Sequence, residues 1–485
     1  MRDLQDGTRG QENLDHDQYI DPVAHRYAST VMQRLFSPMR RAQTWRDVWI
    51  ALARVECRAG LPVTEDQVTA LEQGRDQIDL DRVAEIESET RHDVMAHIHH
   101  YGEVAPEAAG VIHLGATSCF VTDNADLVIL KEALVIIRDR LLRTIHSLSA
   151  FCRKYAAVPT LGLTHLQPAQ LTTIGKRASL WLQDLVDCHQ EIDGLIESLP
   201  LRGLKGTTGT QATFLQLCGG DGDRVDQLEQ ELAEELGFKK VFALCGQTYP
   251  RAWDHRIVSR LTDVAVAIHK AATDIRLLQS WGEVEEPYEK TQVGSSAMPY
   301  KRNPMRCERL CGLARHLMTI APGLAHLAAN QWMERTLDDS AQRRVALPGA
   351  FLALDAMLVT ARNVFSGLVV HDRVRERRIH EYLPFMAAEE LLMEGVSRGG
   401  HRQQLHERIR EHAWKAREEI LEGKENPLRS LIEADDMLGE VAASLPPWDA
   451  DRFTGRAAEQ TLRYLDEVAD RLPTPEEDHL TELKV

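Results

Sequence analysis

From residue 127 onward the apolar positions Leu127, Leu130, Leu134, Ile137, Leu141, Ile145 and Leu148 recur at steps of three and four, the spacing of one helical face. Thr122 to Asn124 precede them as helix-capping residue types, so one unusually long helix is expected to start there. Two further stretches, Leu171 to Leu199 and Arg251 to Glu286, run without proline, and a fourth helix is expected after Pro348, continuing to about Val370. Helices of this length are held by lateral packing more than by propensity, so the pattern predicts a central helical bundle shared between subunits. Residues 40 to 100 alternate apolar and charged positions with a stop near Gly60-Leu61-Pro62, which predicts a small helical domain. After about His371 shorter charged helices such as 402–421, broken by Pro427 and Pro446-Pro447, predict another. The expected organisation is all-α: a flexible arm over 1–20, an N-terminal helical domain over 21–117, a central long-helix bundle over 118–370 and a C-terminal helical domain over 371–485.

Composition supports this picture and narrows the partners. With 485 residues, 43% of them apolar, the chain has ample length for a buried core, and 30 Gly with 19 Pro are too few for a turn-rich β protein. A net charge of −17 argues against broad binding to nucleic acid or to an anionic membrane, so an anionic ligand needs a local basic pocket. The eight cysteines form no CxxC pair and read as reduced, mostly buried thiols. Residues 1–20 lack the apolar core of a secretory leader, and no eighteen apolar residues run uninterrupted, so a cytoplasmic location is expected.

The most unusual segment is Gly294-Ser295-Ser296-Ala297-Met298-Pro299-Tyr300-Lys301-Arg302-Asn303-Pro304, a turn-rich run among long helices. Its Gly-Ser-Ser start can present successive backbone N–H groups to an anion, with Lys301 and Asn303 adding a charge and an amide; an ordinary interhelical loop is the competing reading. A second run, Thr164 to Gln170, places His165 among polar side chains just before a long helix, either as a proton donor or as a helix-start cap. Arg91-His92-Asp93 opens a His-rich stretch through His100, but no HExxH arrangement supports a metal site. Lys205 to Gln211 lacks the GxxxxGK[ST] spacing of a phosphate loop. Arg335 to Arg344 offers guanidiniums suited to phosphate, or a solvated helix start.

Residues 294–303 match GSSxMPxKxN at every fixed position, and on that motif the chain resembles the fumarase/aspartase superfamily. The accompanying RHDVMAH, GATSC, THLQPAQLTT, KGTTGTQATF and RTLDDSAQRR, in this order, are similar to its branch acting on succinylated purine nucleotides. The resemblance covers roughly residues 20–465 and implies a three-domain all-helical subunit, a tetramer with a twenty-helix core, and active sites each built from three subunits. It implies elimination of fumarate from adenylosuccinate and from the succinylated carboxamide ribotide, SAICAR, with no metal or organic cofactor. Ser295 is then the general base and His165 the general acid, although general chemistry would assign the base role more readily to a His. Arg26, Tyr27, Arg335, Ser340 and Arg344 would line the phosphate and ribose end, with Arg91, His92 and Asp93 nearby. Thr117, Ser118, Gln247, Lys301 and Asn303 would face the succinyl carboxylates, and Arg309 would also line the site. Asp21-Pro22 stands where the branch carries Ser-Pro. A sister lyase acting on argininosuccinate and a non-catalytic helical protein are the competing readings.

Overall fold

A computed structural model describes residues 18–475, so most of the expected arm over 1–20 and the last ten residues lie outside the described residues. After a five-residue π-helical turn, Val23–Tyr27, come α1 (Thr30–Leu35), α2 (Pro38–Arg58), α3 (Glu65–Gly74), α4 (Leu80–Thr90) and α5 (Asp93–Val104). Trp45, Trp49, Val48, Leu52 and Val55 of α2 are buried, and the Tyr101 hydroxyl of α5 donates to the Leu71 carbonyl at 2.6 Å. This core runs without a break into the long helices.

The centre is α6 (Ser118–Lys154), α7 (Ile174–Ser198), α10 (Ala252–Ser280), α11 (Met305–Ala329) and α12 (Asp339–Gly367), with α8 (Ala212–Leu217) and α9 (Gly222–Glu235) between α7 and α10. The five long helices pack in a closed ring, α6 against α7, α7 against α10, α10 against α11, α11 against α12 and α12 back on α6. Helices α6, α10 and α12 run one way and α7 and α11 the other: Arg251 and Asp254 at the start of α10 bond Asp123, Asp339 and Arg343 at the starts of α6 and α12. Helix α12 has one window apolar enough to cross a membrane, but 72% of it is buried in the bundle, as a core helix requires. Beyond it lie α13 (Asp372–Ser397), α14 (Arg402–Leu421), α15 (Leu428–Glu433) and α16 (Gly439–Ser444), which carry a separate apolar core around Leu391, Leu405, Leu428 and Ile432. The last helix, α17 (Ala457–Arg471), returns to the bundle, where Leu465 and Val468 join the main core.

The fold is all-α, with two antiparallel two-stranded sheets among the described residues: β1 (Pro159–Thr164) with β2 (Gln167–Thr173), and β3 (Val284–Glu285) with β4 (Val369–Val370). Several expected boundaries move. Helix α6 starts at Ser118 behind Thr117, not at Thr122 to Asn124, because Asp123 and Asn124 are buried and bond other segments instead of their own helix start. Helix α12 starts at Asp339, so Pro348 lies inside it; one lost backbone bond is tolerated where Leu347, Ala350 and Phe351 are packed around it. Helix α10 ends at Ser280, before Gly282 adopts a left-handed φ of 72° and the chain turns into β3. Residues 171–173 belong to β2, so α7 begins at Ile174 with the Thr173 hydroxyl as its cap.

Candidate active site

The loop between β3 and α11 is pinned at both ends. The Glu286 carboxylate accepts from the Arg306 and Cys307 amides at 3.0 and 2.9 Å, an anion at the N-terminus of α11, and the Arg306 guanidinium reaches back to the Pro287 carbonyl at 2.7 Å. Between these anchors the Asn303 amide donates to the Gly294 carbonyl at 2.9 Å and the Lys301 amide to the Met298 carbonyl at 3.0 Å. The Ser295 Oγ accepts from the Met298 amide at 3.1 Å and the Ala297 amide at 3.4 Å. Two N–H dipoles aimed at one hydroxyl oxygen lower the cost of negative charge on it, which is what a serine needs to act as a base. Ser295 is half-buried and Lys301 exposed, so both meet whatever enters.

His165 lies at the tip of the β1–β2 hairpin, not in an irregular loop. Thr164 pairs with Gln167, and His165 and Leu166 both take left-handed φ, 54° and 59°, the pattern of a type I′ turn. Without the usual Asn-Gly, two bulky residues hold that turn under strain, and both are exposed. The hairpin base is fixed by the Thr160 hydroxyl on Glu283 at 3.2 Å and by Arg375 on the Pro159 carbonyl at 2.8 Å. It therefore stands at the end of the bundle that also carries the 286–304 loop.

The other expected residues gather at the opposite end. His92 caps α5, its Nε2 3.4 Å from the Ser118 Oγ, and Asp93 pairs with Arg344 at 3.1 Å. Arg91 precedes them with a left-handed φ of 54°, and Thr117 is the residue on which α6 begins. Gln247 joins this group: its Oε1 lies 3.5 Å from the Cys119 Sγ, its Nε2 donates to the Thr207 carbonyl at 3.1 Å, and its amide to the Glu334 carbonyl at 2.9 Å. Arg335 bonds Asp339 at 2.7 Å, Ser340 lies in the first turn of α12, and a cavity of about 310 Å³ opens beside them, lined by Tyr249, Arg251 and Arg335. Arg26 and Tyr27 go elsewhere: Tyr27 lies under the guanidinium of Arg309, in the second turn of α11, at 5.2 Å from the ring centre.

A single chain thus does not unite the residues. Helix α10, 29 residues long, separates the two ends by about 43 Å at 1.5 Å per residue. Ser295, Lys301, Asn303 and His165 stand at one end, Arg91, His92, Asp93, Thr117, Ser118, Gln247, Arg335, Ser340 and Arg344 at the other.

The structure adds a buried ionic network that no motif announced. Asp123 holds Arg251 through two bonds of 3.0 and 3.1 Å and accepts the Tyr249 amide at 2.9 Å; Arg343 bonds Asp254 at 2.7 Å and the Tyr249 hydroxyl at 2.6 Å. Burial would raise the Asp123 carboxyl, yet Arg251 and Arg343 hold it below its ordinary value. Burial, with His92 and Arg202 near, pushes His113 down to about 4, and this neutral ring accepts the Trp49 indole N–H at 2.9 Å. Among the described residues, no three His, Cys, Asp or Glu side chains gather as metal ligands would.

Known proteins resemble this chain over most of its length. A family model described as "Lyase" matches residues 23–319, and one described as "Adenylosuccinate lyase C-terminus" matches residues 384–464. The chain is 46% identical to an adenylosuccinate lyase of Saccharomyces cerevisiae, the match covering 97% of this chain and 99% of the relative. It is 44% identical to that of Schizosaccharomyces pombe with the same coverage, and 42% identical to that of Schistosoma mansoni over 94% of this chain and 95% of the relative. Among solved structures, a 3-carboxy-cis,cis-muconate lactonizing enzyme from Pseudomonas putida superposes with a TM-score of 0.79 at 25% identity, covering 92% of this chain and 98% of that one. A fumarate lyase from Mesorhizobium shares the fold, with a TM-score of 0.77 at 22% identity over 91% of this chain and 98% of that one.

Proposed function

The chain belongs to the adenylosuccinate lyase family of carbon–nitrogen lyases, and from that premise we propose how its residues divide the reaction. Adenylosuccinate is cleaved to AMP and fumarate, and SAICAR to its free carboxamide and fumarate. The carbon-bound proton next to a carboxylate passes to Ser295, the electron pair left behind forms the double bond of fumarate, and the C–N bond breaks. The departing nitrogen takes its proton from His165. No water is added and no electron changes carrier, so the chemistry calls for neither metal nor organic cofactor.

The observation that carries the base assignment is the pair of amides on the Ser295 hydroxyl, at 3.1 and 3.4 Å, with Lys301 six residues further along the same loop. The developing aci-carboxylate would be met by Lys301, Thr117, Ser118 and Gln247; one such donor is typically worth about 10²- to 10³-fold in rate. The Asn303 amide acts first on the loop, through the Gly294 carbonyl, and presents its remaining edge to the substrate. The phosphate and ribose meet Arg335, Ser340, Arg344, Arg26 and Tyr27, a local cationic surface on a chain of net −17. Arg309, Arg91, His92 and Asp93 complete the wall.

The separation of the two groups along α10 supports a homotetramer whose subunits pack their bundles antiparallel, bringing one chain's Ser295 to another's Ser118 and a third chain's His165 between them. Four copies of the five-helix ring make the twenty-helix core. The eight unpaired cysteines fit a reducing, cytoplasmic setting. A direct ultraviolet assay on adenylosuccinate, with fumarate identified chromatographically and argininosuccinate run in parallel, tests the reading. Turnover of the purine substrate alone is expected, falling about 10²- to 10⁴-fold in His165→Ala and at least as far in Ser295→Ala without loss of the tetramer. Turnover of argininosuccinate, or full activity in Ser295→Ala, would overturn it.

A further inference from the structure

At the start of α12 four charges alternate along one line of hydrogen bonds. Asp123 holds the Arg251 guanidinium at 3.0 and 3.1 Å, the Arg251 Nε donates to one Asp339 oxygen at 2.7 Å, and the other Asp339 oxygen accepts the Arg335 Nη1 at 2.7 Å. Exposure rises only at the last member: the side chains of Asp123 and Arg251 are 2% exposed, that of Asp339 0%, and that of Arg335 21%. The carboxylate of Asp339 is therefore fixed from the buried side by Arg251 and fixes in turn Arg335, the more exposed of the two arginines that line the 310 Å³ cavity. The line of two carboxylates and two guanidiniums is neutral overall; Asp339 shares its charge between Arg251 and Arg335, so it orients the Arg335 guanidinium without taking up all of its hydrogen-bonding edges.

We infer that Asp339 is a positioning and specificity-determining residue that gives the site its preference for a phosphorylated ligand by holding Arg335 in a phosphate-ready orientation. The inference rests on the reading of Arg335 as a phosphate contact. A long arginine free to rotate must be ordered each time a ligand binds, whereas one held by a buried carboxylate presents its fork in advance. The same line reaches the carboxylate side of the site: Asp123 is five residues beyond Ser118 on α6 and bonds the Tyr249 amide, two residues from Gln247, so both ends of the ligand are referred to one rigid strut.

The test compares product-like inhibitors that differ only in the phosphate, AMP and adenosine, against turnover of adenylosuccinate by the tetramer. The ratio of their inhibition constants is the phosphate advantage. In Asp339→Asn this ratio is expected to fall about tenfold or more, the loss of one charge-assisted contact, while the constant for adenosine moves less than about threefold. Asp339→Glu keeps the charge but displaces the carboxylate, and should reduce the ratio in the same direction if Asp339→Asn does not assemble. Arg335→Ala separates the two levels of the argument. A wild-type ratio in Arg335→Ala would overturn the phosphate role of Arg335 itself. A collapsed ratio in Arg335→Ala with an unchanged ratio in the Asp339 variants would overturn the positioning role alone, as would equal weakening of AMP and adenosine.

Discussion

Gly294 is where the loop carrying Ser295 closes on itself, and adding one methyl group there is expected to disable the enzyme without unfolding it. A Cβ on Gly294 would overlap the Lys301 carbonyl oxygen and would lie 2.9 Å from the Tyr288 hydroxyl and 3.2 Å from the Lys301 carbonyl carbon. The nearest obstacle is backbone, so rotating a side chain does not clear the space. Restoring ordinary contact near 3.5 Å requires the Gly294 and Lys301 strands of the loop to part by on the order of 1 Å. That movement lengthens the 2.9 Å bond from Asn303 to the Gly294 carbonyl and shifts Ser295, the residue after Gly294, relative to Lys301, the other member of the strained contact. A misplacement of about 1 Å at reacting groups typically costs about 10²-fold in rate, so Gly294→Ala should lose roughly that factor in kcat. The loop is mostly exposed and contributes little to the core, so the thermal midpoint and the oligomeric state should be close to wild type. The assay is steady-state turnover of adenylosuccinate beside a melting curve of the same preparation. Full kcat in Gly294→Ala would show that the loop geometry does not set the position of the base, and the reasoning would fail.

Other outcomes follow from buried charge and backbone strain. Glu56 is 1% exposed, neither of its carboxylate oxygens has a hydrogen-bond partner, and burial raises its pKa from 4.5 to about 8. Because the folded-state value is the higher one, the contribution of Glu56 to stability is greatest below the unfolded value of 4.5 and declines as pH rises toward 8, by about 1.4 kcal/mol per unit. Buried His113, held near 4, contributes a slope of the opposite sign below about 6.5, so the test is the difference between proteins: from pH 5 to 8 the stability of wild type should fall relative to that of Glu56→Gln, and parallel slopes would refute the assignment. At the hairpin tip, Leu166→Val places a β-branched side chain at a φ of 59° and should lower kcat about tenfold by depopulating the turn that carries His165, whereas Leu166→Asn should not. Equal rates in the two variants would separate the turn geometry from the acid's function.

The helical architecture was legible where one face of a helix carries the signal. The steps of three and four from Leu127 to Leu148 locate α6, and the charged amphipathic pattern over 402–421 locates α14 at the bounds observed. It was illegible where a residue serves a tertiary partner. Asp123 and Asn124 have the composition of a cap, yet their side chains bond Arg251 and Gly203, and nothing local distinguishes the two uses. Pro348 reads as the boundary after which a helix begins because its missing N–H is a local fact, while the packing that carries the helix through it is not. The hairpin escaped notice because His165-Leu166 lacks the Asn-Gly signature of its turn. Motif position nominated the candidate site residues, but their division between two ends of a bundle depends on helix direction, which appears only in the folded chain. Asp339 and Arg343 sit within a run already noticed for its arginines, and their burial, not their identity, marks them as supports.

The central claim is that one chain's two groups of residues meet only across subunits, and mixing two inactive variants tests it most directly. Ser295→Ala disables one end of the bundle and His92→Ala the other, each in its own tetramer. After subunit exchange at equal amounts, about one site in four draws both groups from unmutated chains, so activity should reappear near that fraction of wild type. Absence of recovery, with exchange proven by mixed-mass tetramers, would contradict the shared site and require both groups to act from a single chain.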